Sequence, residues 1–118
     1  MPDDGRAVAR HELPGLDEAA LRAARSFDLL LEAARAARSE RWVRFLEPLP
    51  DRLRDDDPVA LRRTARRCRS AFGPGDSVLE IVPEDAGLLA RRAIDDLIRV
   101  LARLDATGGR DDLSRRRG

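Results

Sequence analysis

Residues 83–106 constrain the fold of this chain more than any other stretch. Ala86, Leu89, Ala90, Ala93, Ile94, Leu97, Ile98, Val100, Leu101 and Leu104 recur there at spacings of three and four. That is the period of a helix, not the alternation of a strand. These residues cover about half the helix circumference, wider than the roughly 100° stripe a surface helix needs to face its core. Arg91, Arg92, Asp95, Asp96, Arg99 and Arg103 fill the opposite side. The spacing predicts a central helix from about Pro83 to Ala106, packed against the first and third helices of the chain. Gly108 and Gly109 are expected to end it.

The other helices follow from the same logic. Leu16, Ala20, Ala23, Ala24, Phe27, Leu30, Leu31 and Ala34 share one face of a first helix, with Asp17 and Glu18 in its first turn, where the helix dipole favours acids. Continuing that helix would put Arg38 and Arg41 on the apolar face, so a break is expected near Arg38–Ser39. A short second helix then carries Trp42, Phe45 and Leu46, and Pro48 and Pro50 end it. DRLRDDDP reads as a linker. Asp57 followed by Pro58 is a strong helix start. The third helix runs to about Phe72, where Gly73, Pro74 and Gly75 stop it, and its inner face is Leu61, Ala65, Cys68 and Phe72. In GDSVLEIVP, Ser77 and Glu80 form a capping-box pattern; the apolar run also suits a strand, but a lone strand has no partner, so a short helix is expected.

Composition sets the scale. The chain has 118 residues, the size of one domain. Leu, Ile, Val and Phe total 29, a quarter of the chain and above the roughly one fifth below which chains stay disordered. The 23 basic residues are all Arg and face 22 acids, for a net charge of +1. This Arg-only, Ala-rich usage reads as the codon bias of a GC-rich bacterial genome and carries no function. One Cys excludes an intramolecular disulfide, and one Cys with one His excludes a zinc site built from several such ligands. No stretch reaches the ~20 apolar residues that span a bilayer, and the start lacks the apolar core of a signal peptide. The expectation is a cytoplasmic protein with no cofactor and no membrane partner. Residues 1–14 are expected as a flexible arm, 15–107 as the helical bundle, and 108–118 as a disordered Arg-rich tail.

Two residue sets stand out. Arg62, Arg63, Arg66, Arg67 and Arg69 occupy the outer arc of the third helix, with no acid between Asp57 and Asp76. Arginines so spaced can meet successive phosphates, but the near-neutral chain and scarce aromatics favour a solvated face paired with acids of other helices. The second set is apolar. Leu21 and Leu29 fall on the outer face of the first helix, and Leu88 on that of the last. With the wide arc of the last helix, they suggest more apolar surface than one small bundle covers. Leu21, Leu29, Trp42, Phe45, Leu89 and Ile98 are therefore the candidate interface.

The remaining features read plainly. Cys68 shares its helical phase with core residues, so it is expected to be buried and inert. A Cys–His pair would need His11, in the arm, to fold back. Asp95 lies four residues from Arg91 and Arg99, and Asp96 four from Arg92, as in local salt bridges. No phosphate loop and no nucleophile elbow are present. The fold expected is an all-α helical bundle of three long elements and one or two short helices. The function expected is a non-enzymatic, self-associating protein–protein interaction module or small subunit. The alternative is a nucleic-acid-binding regulator that uses the arginine helix.

Overall fold

The computed structural model describes residue 13, residues 15–55 and residues 57–117, with side chains through residue 104. It is an all-α bundle: α1 (Leu16–Ala36), α2 (Glu40–Leu46), α3 (Leu49–Arg52), α4 (Pro58–Ser70), a 3-10 turn (Val78–Glu80) and α5 (Glu84–Arg117). The long helices α1 and α4 both pack on α5, while α2 and α3 close over α1.

Helix α1 buries every residue assigned to its apolar face, together with Ala19 and Ser26. The Ser26 hydroxyl is satisfied by donating to the Ala23 carbonyl at 2.9 Å. The helix ends where the arginines would have entered the core. The Arg38 N–H donates to the Arg35 carbonyl and the Ser39 N–H to the Ala34 carbonyl, the two bonds of a Schellman motif. Arg38 takes the left-handed position of that motif, at φ 58°, where glycine is the usual residue. Arg38→Gly is expected to raise stability by about 1 kcal/mol, read as an upward shift of the thermal midpoint. A downward shift would mean that the Arg38 side chain contributes more than its backbone costs.

The Ser39 hydroxyl then caps α2 by accepting from the Trp42 N–H. Trp42 and Leu46 turn into the core. The segment read as a linker begins inside a helix: α3 takes its first two residues, and only residues 53–57 connect α3 to α4. Leu49, Pro50 and Leu53 are buried, so α3 covers the outside of α1, and Arg54 pairs with Asp28 of α1 at 2.9 Å. The prolines and the dense charges around Leu49 and Leu53 hid two apolar residues four apart.

Helix α4 starts as expected: the Asp57 carboxylate accepts from the Val59 N–H at 3.0 Å. Leu61, Ala65, Cys68 and Phe72 are all buried. The Phe72 ring meets Phe27 of α1 edge-on at 6.1 Å. Residues 77–82 hold no strand but a single 3-10 turn, Val78–Glu80; Ser77 caps it by accepting from the Leu79 N–H. The Val78 N–H donates to the Ala71 carbonyl at 2.8 Å, tying the turn to the end of α4. Leu79 lies close on α5 because position 87 is glycine; a Cβ there would overlap the Leu79 Cδ2.

Helix α5 buries Ala90, Ala93, Ile94, Leu97 and Leu101. Ile98, Val100 and Leu104 are half-buried against the same core. The wide apolar arc thus serves two neighbours on two sides. The stop expected at Gly108–Gly109 is not where the helix ends, because α5 continues to Arg117. A glycine inside a helix costs about 1 kcal/mol relative to Ala, which weakens a helix without forbidding it. Leu13, assigned to the arm, packs on the core; residues 1–12 of that arm, with His11, lie outside the described residues.

Candidate functional surfaces

The break at Arg38 lays α2 beside the end of α4, and this creates a cleft. Trp42 and Phe45 meet edge to face, with ring centroids 5.5 Å apart. The Arg41 guanidinium stands 5.0 Å from the Trp42 ring centre, and that of Arg67 stands 4.7 Å from the Phe45 ring centre. Asp76, carried in by the Gly73–Gly75 turn, pairs with Arg41. With Arg44, Ser70 and Pro74, these groups line an open groove of about 570 Å³. Arg44 also borders a second groove of about 430 Å³ on the other flank of α2, with Arg35, Arg38, Glu40, Val43 and Glu47.

The cleft joins members of both sequence-derived sets, since Trp42 and Phe45 came from the interface set and Arg67 from the arginine set. Arg41, Arg44 and Asp76 were not anticipated as site residues. Arg41 entered the sequence argument only as a reason for the helix to break, and its approach to Asp76 spans 35 residues of chain, beyond the reach of local spacing.

The five arginines of α4 do not share one face. Arg62 and Arg66 border a small depression with Ile98 and Leu101 on the α5 side. The Arg69 Nε lies 2.9 Å from the Asp95 Oδ1, with side chains 36% and 37% exposed, a pair worth at most about 1 kcal/mol at such exposure. Arg67 turns the other way, onto Phe45, and Arg63 is exposed. The pairing expected for Asp95 is thus shared, with Arg69 near and Arg91 at 4.0 Å. Asp96 pairs with Arg99 rather than with Arg92.

The apolar candidates also separate. Leu29 is 53% exposed, Leu89 49%, Leu88 40% and Val59 50%. Leu21 is half-buried rather than outward, as is Ile98, and Trp42 is buried. Gly15, Glu18 and Arg22 share a groove with Asp96, Arg99 and Arg103, while Phe27, further along α1, meets Phe72 beside the turn that leads into α5, so the two helices run antiparallel. Leu29 lies two turns beyond Arg22 and Leu89 two turns before Asp96, towards the same end of the helix pair. The outer stripe of α1 there reads Arg25, Leu29, Glu32, all exposed.

Cys68 is fully buried in α4. Burial pushes its thiol well above its ordinary value of 9.0, and the neighbouring Arg67 charge opposes this without outweighing it. The folded protein therefore holds a neutral thiol, and stability falls as pH rises above that ordinary value, because only the unfolded chain ionises there. At about pH 8 a thiol reagent such as DTNB is expected to leave the native protein unmodified until denaturant opens the core. Prompt reaction of the native state would place the thiol at the surface.

Among the described residues no group of three or more His, Cys, Asp or Glu is placed to hold a metal ion. No described helix is long and apolar enough to cross a membrane. Comparison with known protein families, with curated proteins and with solved structures finds no match to this chain.

Proposed function

We propose that this protein is a non-enzymatic helical interaction module that pairs with a second copy of itself through the outer stripe of α1 and the start of α5. One observation carries the reading: Leu29 and Leu89 stand half-exposed on two helices that pack on each other in a small bundle whose other large apolar residues are mostly covered. The charges around them suit a second copy. In an antiparallel pair of α1 helices with a two-fold axis at Leu29, Arg25, one turn before, faces Glu32 of the other copy, one turn after. An isologous contact repeats each such pair, so one favourable match counts twice.

Sedimentation equilibrium of the purified chain tests this directly. A dimer at micromolar concentration supports the proposal. A monomer at every concentration up to the highest attainable would sink it.

A further inference from the structure

We propose that the cleft between α2 and the end of α4 is a binding site for an acidic peptide segment of a partner protein. The carboxylates of that segment would be held by Arg41, Arg44 and Arg67. This does not rest on self-association, because the cleft and the Leu29 face belong to different helix pairs.

The first support is preorganisation. A free arginine loses much rotamer entropy when it grips a ligand. Here Arg67 is already laid on the Phe45 ring, and Arg41 is held between the Trp42 ring and Asp76. Each guanidinium keeps donor edges beyond its stacked face, and such planar forks match carboxylates bidentately. Both rings are braced against each other, so the platform under the arginines is stiff. Trp and Arg are also the residues in which binding hot spots are richest.

The second support is charge. Three arginines converge on the groove, and Asp76 is its one acidic lining residue, already engaged by Arg41. The remaining excess is positive and calls for an anionic occupant. The groove lies along the surface and is open on one side, which suits an extended segment passing through.

A nucleic acid fits less well. Single strands are held largely by stacking bases on open aromatic faces, and here an arginine stands over each of the two rings. Duplex binding needs phosphate contacts strung along a track, whereas the arginines of α4 diverge to both flanks.

The chain supplies its own reporter. Trp42 is the one tryptophan and there is no tyrosine, so intrinsic fluorescence excited in the indole band reports on this cleft. The experiment titrates the full chain with an acetylated octaglutamate peptide at about 50 and 200 mM salt, and in parallel with inorganic phosphate and a single-stranded oligonucleotide. The expected result is a saturable change in Trp42 emission with octaglutamate, weakened several-fold by the added salt. Affinity should fall at least tenfold in Arg44→Glu and in the double variant R44E/R67E. Arg44→Glu changes an exposed side chain, and far-UV circular dichroism confirms its fold. No response to octaglutamate would overturn the proposal. So would a response unchanged in Arg44→Glu, or saturation by phosphate or the oligonucleotide at lower concentration than by octaglutamate.

Discussion

Replacing Phe27 by Ala is expected to lower the unfolding free energy by about 3–5 kcal/mol. The side chain is fully buried in the middle of α1. Its ring meets Phe72, beyond the end of α4, edge to face, so one truncation removes packing that joins two helices otherwise bridged by α5 and α3. A domain this small has only about 5–15 kcal/mol in total, and its core is otherwise mostly Leu and Ala, with few groups large enough to collapse into the gap. Urea unfolding followed by far-UV circular dichroism gives the value. A loss under about 1 kcal/mol would show that α1 and the end of α4 pack loosely there.

Replacing Leu29 by Glu should weaken the proposed dimer by at least about 30-fold, the loss of a hot-spot residue worth about 2 kcal/mol, without unfolding the protomer, because the side chain is half in solvent already. The charges flanking Leu29 allow a sharper test of the register. Arg25→Glu alone sets like charges opposite each other and weakens the pair. Adding Glu32→Arg to it restores opposite signs and should recover most of the affinity. Sedimentation of the four proteins decides the matter: a double variant no better than Arg25→Glu would rule out the antiparallel register centred on Leu29.

The helices that obeyed local rules were readable from the chain. The face of α1 was set by alanine and leucine spacing, the start of α4 by Asp57 and Pro58, and the break at Arg38 by the arginines that would have entered the core. Helix α3 was not readable, because Pro48, Pro50 and the surrounding charges outweigh the brief apolar signal of Leu49 and Leu53. The half-circumference arc of α5 is legible in the spacing, but it suggests more apolar surface than one small bundle covers. In the structure α1 and α4 cover most of it from two sides, and Leu88 and Leu89 are what stays uncovered. The cleft was the least readable feature. Phe45 and Arg67 belong to separate helices, and Asp76 reaches Arg41 through a turn whose position depends on the packing of the whole bundle.

The order in which the bundle is assembled follows from the place of α5. Both other long helices lean on it, and the ribosome makes it after both of them. While α1 and α4 emerge, the surface that will cover them has not been synthesised, and the nascent chain carries exposed leucine faces until α5 has followed them. The bundle therefore closes in one late event, in which contacts distant along the chain form together. A chain truncated before residue 94 would lack Ile94, Leu97 and Leu101 and leave the buried faces of α1 and α4 open to any apolar surface nearby.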